Sequence, residues 1–212
     1  MPLSGTPPAS ERGREREAAI LDVATRHFLE FGYGATTLDA IANRAGGSKS
    51  TLYRYFPSKS DLFLAVVASV VADAARVRLD PDINVHDALF GFAFKRLSVV
   101  FAPRHWSLLR LIMAERDRFP RIATAYLQIG PERSRERLAV YFRVLMERKV
   151  LNIEDPRESA EFFIGMLMHE WYVKHLYSAE RLPTREQRKH RAATVVRSFL
   201  ASTSTGGRPM SR

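Results

Sequence analysis

From Thr36 to Phe63 the chain reads TTLDAIANRAGGSKSTLYRYFPSKSDLF, and this stretch gathers side chains able to grip an anionic polymer. Lys49, Ser50, Tyr53 and Arg54 fall largely on one face of a short helical run, with Leu52 and Phe56 one turn apart on the other. Lysine and arginine meet phosphate charge, while serine and tyrosine hydroxyls donate to phosphate oxygens or base edges. Such contacts need a small, rigid carrier, and the neighbouring residues build one. Thr37 is placed to cap a first helix, whose stripe is Leu38, Ile41, Ala42 and Ala45. Gly46 and Gly47 end that helix, because glycine takes positive φ without steric cost. Ser48 caps the second helix and Pro57 stops it. Ser58, with Asp61 three residues on, opens a third through a variant of the capping box. Two short helices joined by a glycine turn, the second exposing polar and basic residues, predict a helix-turn-helix. Lys59 stands in the first turn of the third helix, where the helix dipole does not favour a cation. A use outside the helix is expected for it, with phosphate the obvious partner.

The run IANRAGGSKSTLYRYFPSKSDLF resembles the DNA-binding head of the tetracycline-repressor (TetR/AcrR) family of bacterial regulators. The resemblance is strong over roughly residues 15–65; beyond that only the helix layout is similar. It implies that Thr37, Ser48, Lys49, Ser50, Tyr53, Tyr55 and Lys59 contact DNA, with Lys59 on phosphate and Lys49 and Ser50 setting the preferred sequence. Two positions depart from the family pattern. Gly47 stands where the family usually has an apolar valine inside the turn, so the turn is expected to be looser there. Ser50 stands where glycine or alanine is common, which adds a contact.

The elements around this head follow from periodicity. A helix from near Glu15 to Phe31 buries Ile20, Ala24, His27, Phe28 and Phe31, and Gly32 and Gly34 end it. His27 is read as a packed or hydrogen-bonded core histidine. Leu62 to Leu79 leaves the head with no flexible linker, so head and body are expected to be mechanically joined. Val85–Ala102, a helix opened by Pro103, Arg121–Gly130, Pro131–Val150, Pro156–Tyr177 and Arg185–Ala201 complete an all-α chain of about nine helices. Gly130-Pro131 is the expected break between two of them. The domain reading is a disordered tail over 1–13, a helix-turn-helix domain over 14–60, a ligand-binding and dimerisation domain over 61–203, and a flexible tail over 204–212. Arg12, Arg14 and Arg16 are read as a solvated leader, with an arm reaching DNA as the alternative.

The body carries more large aromatics than a spacer needs. The family uses this region as a pocket, and apolar pockets with a few polar groups suit small molecules. Phe90, Phe94, Trp106, Met113, Phe163, Met166, Glu170 and Trp171 are the pocket candidates, with His169 and His175 as further polar groups. Glu170 on an apolar helix needs a partner if buried. A lone helix-turn-helix reads few base pairs, so a two-fold dimer is expected. The last two long helices are placed at its seam through Phe162, His169, Val173, Val195, Val196 and Phe199. The first of these segments is acidic and the second basic.

Composition bounds the alternatives. The 212 residues carry a net charge of +10, but the excess lies mainly outside the helix-turn-helix, so the motif and not global basicity argues for DNA. Absence of cysteine excludes disulfides and thiol chemistry. No signal peptide or membrane span is read from the sequence, which predicts a cytoplasmic protein. His169, Glu170 and His175 fail the zinc-protease spacing, because the second histidine is six residues on and off the helix face. No metal, cofactor or catalytic constellation is expected. The expected partners are an operator duplex, a second copy of the chain and a small apolar or amphipathic effector that releases a repressor. The rival readings are a ligand-independent or architectural DNA-binding protein and, remotely, an all-helical enzyme.

Overall fold

A computed structural model describes residues 11–46, 48–75, 78–178 and 181–203. Apolar residues at helical spacing dictate helices throughout, and among the described residues every regular element is helical. They are α1 (Glu11–Ala35), α2 (Leu38–Arg44), α3 (Lys49–Tyr55), α4 (Lys59–Ala75) and α5 (Val85–Val100). The order continues with α6 (Pro103–Glu115), α7 (Pro120–Leu127), α8 (Arg133–Glu147), α9 (Pro156–Tyr177) and α10 (Arg185–Thr203). Gly130-Pro131 does not break the chain as expected. Residues Gln128–Glu132 instead form a π-helical turn joining α7 to α8. The wider turn accommodates a residue without a backbone N–H. Counted through it, the helices among the described residues number nine. α1 begins at Glu11, ahead of the expected Glu15, so Arg12 lies on a helix. Gly32 does interrupt it, with φ 82 and ψ 166. Gly47 and the segments 1–10 and 204–212 lie outside the described residues. Among those described, no helix is long and apolar enough to cross a membrane.

The chain divides into two compact units. The first holds the chain through Val70 together with Trp106–Ile129. Its core is built from Ile20, Phe28, Ile41, Leu52, Leu62, Phe63, Leu108 and Ile112. Aromatic edges lock it: Phe63 meets Phe28 at 5.1 Å and Tyr33 at 5.0 Å, and Tyr33 meets Phe119 at 4.8 Å. Glu115 adds a charge-assisted bond, accepting from the Gly34 N–H at 3.0 Å. His27 is buried as expected, its Nδ1 lying 3.2 Å from the Thr36 hydroxyl. That hydroxyl donates to the Gly32 carbonyl at 2.7 Å, so the imidazole is the donor to Thr36.

The second unit comprises Val71–His105 and Gly130–Arg212. Its centre is a cluster of four phenylalanines, one from each of four helices. Phe142 of α8 stacks on Phe199 of α10 at 5.0 Å, and Phe163 of α9 packs edge-on against both, at 6.1 and 5.1 Å. Phe92 of α5 approaches Phe163 at 6.4 Å. The Asn152 N–H donates to the Thr203 carbonyl at 2.7 Å and ties down the end of α10.

Candidate nucleic-acid interface

The caps read from sequence form the frame of the interface. The Thr37 hydroxyl accepts from Ala40 N–H at 3.2 Å, and the Ser48 hydroxyl from Thr51 N–H at 3.2 Å. Ser58 accepts from Asp61 N–H at 3.1 Å while its hydroxyl donates to the Asp61 carboxylate at 2.7 Å. Each cap satisfies a backbone donor that the first turn leaves open. Buried Ile41 and Leu52 pin α2 and α3 to the core. The opposite face of α3 is left in solvent.

That face carries Lys49, Ser50, Tyr53 and Arg54, all exposed, with Tyr53 at 45%. Ser48 lies 2.9 Å from Ser50 and 2.8 Å from Thr51, hydroxyl to hydroxyl, so three hydroxyls crowd the start of the helix. Lys49 is engaged: its ammonium sits 2.7 Å from the Asp39 carboxylate of α2. This hydrogen bond raises the lysine's pKa. Tyr55 is half-buried beneath Arg54, whose guanidinium lies 5.4 Å over the ring. Its phenol reaches toward the Gly13 carbonyl at 3.5 Å.

Lys59 resolves the dipole puzzle differently from the expected phosphate. Its ammonium donates to the Tyr33 and Gly34 carbonyls, at 3.0 and 3.2 Å, and lies 4.7 Å over the Tyr33 ring. The carbonyls at the end of α1 thus compensate a cation at the start of α4. Burial lowers its pKa. Two of the three ammonium hydrogens are used internally, which leaves one for a ligand.

The other candidates divide. Phe163 is fully buried in the phenylalanine cluster. Phe90 and Phe94 stack along α5 with centroids 6.1 Å apart, and Arg185 covers Phe94 at 5.8 Å. Trp171 meets Phe101 edge-on at 5.6 Å and carries Arg191 over its ring at 5.6 Å. Trp106 is buried and Met113 half-buried, and both belong to the first unit, whereas the other pocket candidates belong to the second. Glu170 is exposed and pairs with Arg191 at 3.2 Å, so no buried charge needs compensation. Met166 lies on the exposed side of α9. His175 is buried, its ring nitrogens 2.7 and 3.2 Å from the Trp171 and Arg181 carbonyls.

The seam candidates also separate. Phe162, His169 and Val173 are exposed on α9, Phe162 at 61%. With Met166 and Tyr177 they form one stripe at helical spacing. Val195, Val196 and Phe199 are buried within the chain itself, so they are core residues and not a surface for a second copy. Sequence reasoning missed Asp39 and Glu115. Asp39 stands inside the motif, but its partner Lys49 lies across the turn, beyond the reach of helical spacing. Glu115 gave no signal, because its partner is a backbone N–H distant in sequence.

A helix-turn-helix whose second helix offers hydroxyls, an amine and a phenol to solvent defines a DNA-binding class of protein. Residues 20–66 match the family described as bacterial regulatory proteins, tetR family. Residues 87–202 match the AefR-like transcriptional repressor C-terminal domain. The chain belongs to the TetR family of transcriptional regulators. Among solved structures, a TetR-family regulator from Mesorhizobium loti is 27% identical with a TM-score of 0.74, over 92% of this chain and 100% of that one. The flavonoid-responsive regulator FrrA is 29% identical with the same TM-score of 0.74 and the same coverage of 92% and 100%. Among curated relatives, the uncharacterised regulator YhgD of Bacillus subtilis is 36% identical over 83 residues, 36% of this chain and 44% of its own. The activator FasR of Mycolicibacterium smegmatis is 47% identical over 53 residues, 25% of this chain and 24% of its own. The chain spans at most about half the length of these curated relatives.

Proposed function

We propose that this protein is a cytoplasmic homodimeric repressor that binds a palindromic operator and leaves it when a small apolar or amphipathic effector binds. The observation that carries the reading is the exposed face of α3, where Ser48, Lys49, Ser50 and Tyr53 stand opposite buried Leu52. Thr37 and Tyr55 flank this face, and Lys59 offers its remaining hydrogen to a phosphate. Repression is supported by the description of the matching C-terminal family, whereas the head alone is shared with an activator. The exposed stripe Phe162, Met166, His169, Val173 and Tyr177 supports a two-fold seam on α9. Apolar side chains in that arrangement gain from burial against a second copy. The aromatic content of the body, together with the flavonoid-responsive neighbour, supports a planar aromatic effector.

The test is to recover genomic DNA bound by the purified protein and sequence it. An inverted repeat upstream of a small set of genes is the expected result, and recovery of sequence-random DNA would reject it. Operator binding is then repeated with flavonoids and simpler phenols. A releasing compound binds the DNA-free arrangement more tightly, and a coupling of about 1–3 kcal/mol lowers operator affinity roughly 5- to 150-fold. Compounds that raise the melting temperature but leave operator affinity unchanged would remove the effector switch.

A further inference from the structure

We propose that Thr51 is a positioning residue for base reading: through Ser48 it lets the Ser50 hydroxyl meet DNA either as a hydrogen-bond donor or as an acceptor. The inference rests on the reading that α3 faces DNA. It comes from the three hydroxyls at the start of the recognition helix. The Ser48 oxygen lies 2.9 Å from that of Ser50 and 2.8 Å from that of Thr51, and it also accepts from the Thr51 N–H at 3.2 Å. Ser50 is exposed and Thr51 half-buried, so Ser50 is the outer end of this chain of hydroxyls and Thr51 the inner one.

A serine hydroxyl has one hydrogen and two lone pairs. The Thr51 N–H occupies one lone pair of Ser48, which leaves one lone pair and one hydrogen for two hydroxyl neighbours. Both short contacts are then hydrogen bonds only if one neighbour donates to Ser48 and the other accepts from it. Two orders satisfy this. In one, Thr51 donates to Ser48 and Ser48 to Ser50, so the Ser50 hydrogen is free for a base acceptor such as guanine N7 or O6. In the other, Ser50 donates to Ser48 and Ser48 to Thr51, so the Ser50 lone pairs are free for an amino group such as that of cytosine. The two orders interconvert by rotation of the hydroxyls, with no movement of the helix. Only the second order requires the Thr51 oxygen. Without it, the first order merely leaves Ser48 with an empty lone pair. The second leaves the Ser48 hydrogen without its acceptor, and at an interface that excludes water an unmade donor costs more than an unfilled lone pair. The adaptability depends on serine at position 50, where this chain departs from the family pattern.

The experiment uses the full chain with T51V, T51S, S50A and the combined S50A/T51V variant. Each base pair of the recovered operator is replaced in turn by the other three, and affinity is measured at fixed salt. Valine matches threonine in shape and keeps the N–H that Ser48 caps, and circular dichroism checks that each variant is folded. At one position in each half-site, T51V is expected to bind the cytosine-bearing duplex about tenfold more weakly than the wild type does, while the guanine-bearing duplex is bound as before. T51S restores the hydroxyl and the wild-type pattern. In the S50A background T51V has no base-dependent effect, because the outer end of the chain of hydroxyls is gone. A merely structural role for Thr51 would weaken all duplexes alike. That result, or no change at all in T51V, overturns the inference while S50A still weakens operator binding. If S50A and Y53F both bind the operator as the wild type does, the DNA-facing reading of α3 falls, and the inference with it.

Discussion

The two units solve the packing problem with different means. In the first, α2 and α3 are only seven residues each, too short to persist alone, and are fixed by a cap at each start and by buried apolar anchors, Leu38, Ile41 and Ala42 in α2 and Leu52 in α3. Exposed pairs such as Arg44–Glu30 and Lys49–Asp39, at 2.8 and 2.7 Å, lie across its surface. In the second, long helices meet through large aromatic rings, and buried His105 is enclosed with Arg96 nearby. Short-range polar bonds hold a surface in a defined shape for a ligand. Aromatic rings are buried in both units, but in the second they sit where four helices meet and show little of their chemistry outside. The head is therefore where single polar substitutions change recognition, and the body is where single apolar substitutions change folding.

The strongest test of that contrast is Phe199→Ala. Truncating a ring stacked between helices should cost about 3–5 kcal/mol of stability, read by urea denaturation. A loss below 1 kcal/mol, accompanied by dissociation of a dimer, would instead return Phe199 to a subunit seam.

His105 gives the next effect. Burial, and secondarily the Arg96 charge, lower its pKa from 6.5 to about 4. Between these values the unfolded chain binds a proton that the folded chain refuses. Its contribution is full above pH 6.5 and is lost as pH falls to about 4. The loss amounts to about 3 kcal/mol at most. Urea melts at pH 7 and pH 4.5 should differ less in His105→Phe than in the wild type. An identical pH dependence in the two proteins would place the histidine in a solvated setting.

Thr37→Ala is the smallest. Losing one N-cap should cost about 1 kcal/mol, with Thr37→Ser restoring most of it. Hydrogen exchange over Leu38–Arg44 reads this locally. Faster exchange confined to α2 supports a cap of local effect, and faster exchange throughout the body would contradict the division between the units.

Several features of the head were legible because their causes are local. Thr37, Ser48 and Ser58 sit immediately before the helices they cap, and each accepts from a residue three positions on. The exposed face of α3 follows equally from Leu52 at its back. Even the interruption of α1 at Gly32 was readable, since a φ of 82 there suits glycine. The π-helical turn at Gly130-Pro131 was not, because a proline admits a break or a wider turn and the flanking helices choose between them.

The sequence by itself determined the helices, their caps and the face that α3 turns outward, because caps and periodicity act over three or four residues. Only the tertiary structure decided that Phe199 is core while Phe162 is exposed. Helices α9 and α10 carry apolar residues on more than one side, so spacing alone cannot select the buried face; packing against α8 and α5 does. The same holds for Glu115 and Gly34. They are 81 residues apart, and their hydrogen bond exists only once the chain has folded back on itself.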